Sequence, residues 1–153
     1  MPSARAIVCE ETTKWAIALR RASHGAPLRI LETRSLQTCW QEVLTNPASF
    51  VMLECLPVNL ERTVRWIQQF GTRFRNARVA VLCDPKIESS QWLLREVGAV
   101  HTVLSPRNLE PLIGILRRHL DSIPVVEDSL RHQIWQRLPW KGNDYNDPER
   151  NSS

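Results

Sequence analysis

The sequence predicts an α/β fold, a three-layer, doubly wound, five-stranded parallel sheet of (βα)5 form. Five short apolar runs, residues 5–9, 28–32, 49–53, 78–83 and 100–104, recur about 20 to 30 residues apart. The runs Phe50-Val51-Met52-Leu53 and Val79-Ala80-Val81-Leu82 are continuous rather than alternating. That suits strands covered on both faces, as in a parallel sheet. Amphipathic segments separate the runs, so successive strands are joined by helical, right-handed crossovers.

The first strand, residues 5–9, runs into Glu10 and Glu11, after which Trp15, Leu19 and Ala22 repeat at helical spacing until Gly25 and Pro27 stop the pattern. The second strand leads to Ser35, a good N-cap for a helix carrying Leu36, Cys39, Trp40, Val43 and Leu44 and ending near Asn46-Pro47. After the third strand, Asn59 is placed to cap a helix with Glu61 at its positive end and Leu60, Val64, Ile67 and Phe74 along one side. A fourth helix, from about Ile87, carries Trp92, Leu93 and Val97 and finishes at Gly98, the residue best suited to a left-handed C-cap. Asn108 starts the fifth, with Glu110 and Pro111 in its first turn and Leu109, Leu112, Ile113, Leu116 and Leu120 behind them.

A chain of 153 residues with 42% hydrophobic and 24% charged residues and only 5 glycines has the composition of one folded domain. Collagen-like, low-complexity and wholly disordered classes are excluded. No apolar run is longer than Val79 to Cys83, far below the roughly 18 to 20 residues that cross a bilayer. Residues 6–9 are too short for a signal-peptide core, so the expected compartment is the cytosol. There Cys9, Cys39, Cys55 and Cys83, which show no CxxC spacing, are expected as free thiols. Of 20 basic residues only Lys14, Lys86 and Lys141 are lysines, a bias that favours bidentate phosphate or carboxylate contacts. A net charge of +4 is too small to establish nucleic-acid binding.

The domain is read as residues 1–121, followed by an amphipathic extension, 122–140, and a polar, turn-rich tail, 141–153, expected to be disordered. Leu130, Ile134, Trp135, Leu138 and Trp140 give the extension an apolar side. It is expected to dock on its own domain, because exposed tryptophans are a liability; a peptide that enters a partner's groove is the alternative.

In open parallel sheets the functional crevice lies beyond the carboxyl ends of the strands. Those ends carry Cys9, Glu10 and Glu11 after the first strand and Leu53, Glu54 and Cys55 after the third. Cys83 and Asp84 follow the fourth, and Ser105 and Pro106 the fifth. The segment Gly98-Ala99-Val100-His101-Thr102-Val103-Leu104-Ser105-Pro106, followed by Leu109-Glu110-Pro111-Leu112, resembles the receiver domain of two-component response regulators. The Ile7-Val8-Cys9-Glu10-Glu11 start and the Leu56-Pro57 pair agree, and the likeness covers roughly residues 4 to 121. It implies a flavodoxin-like fold and a place in signal transduction of the phosphorelay kind.

A working receiver phosphorylates an Asp at the end of the third strand, holds Mg²⁺ with an acidic pair after the first, contacts the phosphoryl group with a Lys and senses it with Ser or Thr. The hard cation and the ammonium group offset the charge of the incoming phosphoryl. By this resemblance the phosphoacceptor position falls on Leu53 or, with a one-residue deletion, on Glu54. A one-residue shift exchanges the faces of the strand, and the alignment leaves the choice open. Cys9 replaces one member of the acidic pair while Glu10 keeps the other; Cys83 stands at the Ser/Thr position beside Asp84; Ser105 stands where the Lys belongs, with Pro106 retained. The resemblance is therefore to a degenerate, or pseudo-, receiver, with no catalytic residue and no cofactor expected.

Other chemistries have thinner support. Glu10, Glu11 and Glu54 or Asp84 could hold a cation, although carboxylates at loop mouths are more often solvated or paired with arginine. Cys9, Cys55 and Cys83 on neighbouring strand ends could form a thiolate metal or redox site, although buried cysteine usually packs as a small hydrophobe. His24, His101, His119 and His132 are scattered, with no paired-ligand spacing, and no Walker A loop or GxGxxG fingerprint is present. Trp15, Trp40, Trp66 and Trp92 fall one on each of the first four helices and are expected mostly in the core. Arg62, Arg65, Arg73, Arg75 and Arg78 beside Trp66 read as a solvated arginine face diluted by Glu61, Gln68 and Gln69.

The function expected is phosphate-independent protein–protein interaction. By resemblance, the face of the fourth helix, fifth strand and fifth helix makes dimer or partner contacts, here Trp92, Arg95, Glu96, His101, Arg107, Arg117 and Arg118. Two alternatives remain open: nucleic-acid or phospholigand binding through the arginine face, and an active receiver that uses Glu54 or another acidic acceptor.

Overall fold

A computed structural model of the chain describes residues 4–23 and 28–123. Strands β1 (Ala6–Cys9), β2 (Ile30–Thr33), β3 (Phe50–Cys55), β4 (Arg78–Cys83) and β5 (His101–Val103) alternate with helices α1 (Lys14–Ala22), α2 (Leu36–Thr45), α3 (Leu60–Arg73), α4 (Gln91–Glu96) and α5 (Glu110–Ser122). All four pairings are parallel, in the order β2-β1-β3-β4-β5. This is the predicted flavodoxin-like sheet. The chain leaves β1 toward β2 and returns on the far side of β1 to begin β3, so the winding reverses between β1 and β3.

Both faces of the sheet are buried, and the two-residue period of a strand sorts its side chains between them. Ile7, Cys9, Val51, Leu53, Val79, Val81 and Cys83 pack with Cys39 and Val43 of α2, with Trp66, Ile67 and Phe70 of α3, and with Leu94 of α4. Ala6, Val8, Phe50, Met52, Ala80, Leu82 and Val103 pack with Trp15 and Leu19 of α1 and with Leu112, Ile113 and Leu116 of α5. The continuous apolar runs therefore have a physical cause: β3 and β4, inside the sheet, are covered on both faces.

Several boundaries differ from the sequence reading. β2 begins at Ile30 rather than Leu28, because as an edge strand it pairs only with β1, whose first partner is Ala6 opposite Ile30. β3 extends past Leu53 to Cys55, carried by its pairing with β4 as far as Cys83. β5 keeps three residues, opposite Ala80 to Leu82. Ser35 caps α2 as expected, accepting from the Thr38 N–H at 3.1 Å. Asn59 takes the N-cap position of α3 as expected but makes no side-chain cap bond there: its Oδ1 accepts from the Leu56 N–H at 2.8 Å, closing the turn over Pro57–Asn59. Phe74 lies one residue beyond α3. Asn108 belongs to the turn before α5, its N–H donating to the Ser105 carbonyl, and Leu109 takes the cap position.

The largest revision concerns α4, which starts at Gln91 and not near Ile87. Asp84 accepts from the Lys86 N–H at 2.8 Å, and a 3₁₀ stretch follows over Pro85–Ser90 with buried Ile87 at non-helical φ −107°, ψ 24°. Ser89 and Ser90 compete for backbone hydrogen bonds and weaken an α-helical turn there. Of the four helix tryptophans, Trp15 and Trp66 are buried, Trp40 is half-buried, and Trp92 is 66% exposed. The expectations for Gly25, Pro27, His24 and His132, the extension residues Leu130, Ile134, Trp135, Leu138 and Trp140, and the tail 141–153 lie outside the described residues.

Gly98 follows α4 with φ +131°. A Cβ there would meet only Ile67 Cγ2, at 3.5 Å, so the demand for glycine comes from the backbone and not from crowding. Gly98→Ala should cost about 1–3 kcal/mol of stability, read as a lower urea midpoint at unchanged m-value.

Candidate functional site

The site is built where the winding reverses, beyond the carboxyl ends of β1 and β3. Glu10 leaves β1 with 2% exposure, and its carboxylate turns toward the first turn of α1. Oε1 accepts from the Trp15 N–H at 3.0 Å and Oε2 from the Ala16 N–H at 2.8 Å, with the Thr12 hydroxyl at 3.4 Å. These amides have no partner within the helix, and a carboxylate also suits the positive end of the helix dipole. Glu10, which the resemblance sets at one position of the acidic pair, is thus held by backbone.

Arg34, at the end of β2, secures the same loop. It donates to the Thr12 carbonyl at 2.9 Å and the Glu10 carbonyl at 3.4 Å, and its other terminal nitrogen meets Glu32 at 3.0 Å. Arg20 of α1 reaches Glu32 at 2.8 Å. Hydrogen bonds from Arg20 and then Arg34 hold the Glu32 carboxyl below its ordinary range. Arg34 is a positioning residue that the sequence reading missed, since the end of β2 was not counted with the other strand ends.

Leu53 and Glu54 occupy different environments. Leu53 is fully buried opposite Cys9, within the core that β1, β3 and β4 share with α2, α3 and α4. Glu54 is half-buried, and its Oε1 accepts from the Glu11 N–H at 3.4 Å. Of the two candidates, only Glu54 presents a polar group at the sheet end. Asp84 turns its carboxylate to the Lys86 N–H, and the Ser105 hydroxyl accepts from the Arg107 N–H at 3.2 Å beside exposed Pro106.

The four cysteines are buried free thiols. They do not form the trio considered from the sequence. Cys55 and Cys83 are register partners, whereas Cys9 pairs in register with Leu53 and its thiol bonds to Cys39 of α2. Among the described residues no three His, Cys, Asp or Glu side chains gather to hold a metal ion. The Cys39 contact lowers the Cys9 thiol and raises its partner. Burial pushes Cys55 up to about 11 and Cys83 to about 12.

From this sheet end a cleft of about 690 Å³ opens between α2 and α3. Cys9, Glu10, Glu11 and Glu54 line it from the strand ends and Leu36, Trp40 and Trp66 from α2 and α3, and Arg34, Arg62 and Arg65 also border it. Trp40 meets Trp66 edge-on at 5.7 Å and Phe74 at 5.0 Å, while Trp66 stacks on Phe70 at 4.9 Å and donates its indole N–H to the Leu36 carbonyl at 3.2 Å. The tryptophans thus brace α2 against α3. The cleft itself was invisible in sequence because its walls come from segments about thirty residues apart.

The predicted interaction face is only partly gathered. Trp92, Arg95 and Glu96 are exposed on α4, and Arg95 donates to the Thr102 hydroxyl at 3.1 Å, which donates to Gln91 at 3.0 Å. His101 is half-buried on β5, Arg117 is half-buried on α5 and Arg118 is exposed there. Arg107 stands apart, lining a groove with Lys14, Ile17 and Arg21 of α1. His119 lies 2.8 Å from the Ala48 carbonyl and ties α5 to the start of β3. On the arginine face, Arg65 pairs with Glu61 at 2.7 Å, Arg73 lies over the Phe74 ring at 5.1 Å, and Arg78 donates to the Arg75 and Ala77 carbonyls.

Sheet order, helix placement and a polar switch point define the receiver fold, and comparison with solved structures agrees. The chain is similar to a response regulator from Thermotoga maritima, with TM-score 0.65 and 17% identity over 80% of this chain and 100% of that one. It is also similar to a CheY-like protein from Pseudomonas aeruginosa, with TM-score 0.60 and 15% identity over 75% and 98% of the two chains. NtrX from Brucella abortus matches with TM-score 0.56 and 13% identity over 89% of this chain, which spans 29% of that longer protein. No protein-family model and no curated protein matches the sequence.

Glu10→Ala removes the acceptor for two buried amides and should cost about 1–3 kcal/mol, measured by urea unfolding. Burial, and next the Arg95 guanidinium, hold the His101 imidazole below its ordinary 6.5. The unfolded chain then binds more protons than the folded one through this range, so His101's contribution is whole above the ordinary value and is lost as pH falls through it. His101→Gln should therefore lose less stability than wild type between about pH 7 and pH 5, as read by urea midpoints at the two pH values.

Proposed function

We propose that this chain is a degenerate receiver-like domain, a non-enzymatic, cytoplasmic module of signal transduction that works through phosphate-independent protein–protein contact. The observation that carries this reading is the engagement of the Glu10 carboxylate by the Trp15 and Ala16 amides. An acid so held would have to leave α1 to bind a magnesium ion, and Cys9 beside it offers no oxygen. Two further features support it: Leu53 is a buried hydrocarbon opposite Cys9, and Ser105 supplies no ammonium group to the sheet end.

The scaffold then serves through its outside. Trp92, 66% exposed on the helix that also carries exposed Arg95 and Glu96, is the largest apolar side chain so displayed among the described residues and is the expected centre of a partner or homodimer contact. The arginine face is the weaker surface for nucleic acid, because Arg65, Arg73 and Arg78 are engaged locally.

Incubation with acetyl phosphate and Mg²⁺, followed by intact mass measurement, should yield no phosphoryl adduct. A stoichiometric, acid-labile adduct that disappears in Glu54→Gln would overturn the proposal in favour of an active receiver with a glutamate acceptor.

A further inference from the structure

The cleft between α2 and α3 is sorted by polarity in a way that partner contact on α4 and β5 does not require. Its volume, about 690 Å³, falls within the roughly 300–1,000 Å³ of small-molecule sites. Leu36, Trp40 and Trp66 give it an apolar lining. At the strand ends Glu54 is half-buried and accepts from the N–H of exposed Glu11 at 3.4 Å. Among the described residues, neither Glu11 nor Glu54 has an ion-pair partner.

The cations of the lining are differently placed. Arg34 is committed to Glu32 and the β1–α1 loop. Arg65 pairs with Glu61 in an exposed salt bridge, and Arg62 is exposed. Water and salt screen charges on an open rim, whereas a half-buried carboxylate acts through a lower effective dielectric. The half-buried Glu54 carboxylate therefore weighs more in the cleft than the exposed arginines and favours positive charge over negative. A bare divalent ion would leave the apolar lining unused, and no three metal-ligating side chains gather among the described residues.

We infer that this cleft binds a small amphipathic organic cation, with its ammonium or amidinium head at Glu11 and Glu54 and a planar or apolar body against Leu36, Trp40 and Trp66. The site stands apart from the α4 surface, so ligand binding and partner contact can be tested separately. It also uses Glu54 as an ionised side chain, a role that a glutamate phosphoacceptor could not keep once modified.

The test uses the full chain labelled with ¹⁵N and titrated with tryptamine, with indole-3-acetate as a probe of similar ring and opposite charge. Tryptamine should give saturable shifts centred on the Trp40 and Trp66 indole N–H signals and the Glu11 and Glu54 amides. Indole-3-acetate should bind about tenfold more weakly or worse. Glu54→Gln, checked for an unchanged unfolding midpoint, should abolish the preference between the probes. If that variant does not fold, Glu11→Gln on the exposed loop serves in its place and should narrow the preference. Equal binding of the two probes, shifts centred away from the cleft, or no saturation by roughly 5 mM tryptamine would each overturn the inference.

Discussion

Two hydrogen bonds from the first turn of α1 to the Glu10 carboxylate organise the sheet end. They give the exposed amides of a helix N-terminus an anionic acceptor, and they bind α1 to the strand that precedes it. Arg34 completes the arrangement by holding the carbonyls of the same loop and the Glu32 carboxylate. Glu10 thereby acts as a structural joint between β1 and α1, while Glu11 and Glu54 lie beside it at the switch point.

The second constraint is double-sided burial. With helices on both faces, successive residues of β3 must satisfy opposite cores: Phe50 and Met52 face α1 and α5, while Val51 and Leu53 face α2, α3 and α4. Leu53 is therefore settled by packing. The space that α2 and α3 leave at their upper ends is kept open by aromatic contacts, Trp40 on Trp66 and Phe74, and Trp66 on Phe70. The same tryptophans that brace the helices line the cleft, so its shape is as rigid as the packing beneath it.

Much of the fold was legible because strand identity depends on local composition. Val79 to Cys83 and Phe50 to Leu53 are apolar at every position, and only a strand covered on both sides tolerates that. Ser35 was legible as a cap because its acceptor lies three residues away on the same chain. Asn59 was legible in position only: it stands at the N-cap of α3, but the Leu56 N–H takes its side-chain oxygen. The α4 start was misread because hydrophobic spacing cannot distinguish a 3₁₀ stretch anchored by Ile87 from an α-helical turn. The thiol partner of Cys9 was hidden because Cys39 lies on a helix, whose docking angle brings together groups thirty residues apart.

The sequence by itself determined the parallel sheet, the order of its elements, the acidic and thiol-bearing strand ends and the absence of lysine from the position after β5. Those follow from residue type and period, which are local properties. Only the tertiary structure decided that Glu10 turns to α1 while Glu54 reaches the Glu11 N–H, and that Trp40 and Trp66 meet beside a cleft. The direction of a carboxylate depends on which donors the folded backbone brings within about 3 Å, and a cleft exists only once two helices have found their separation.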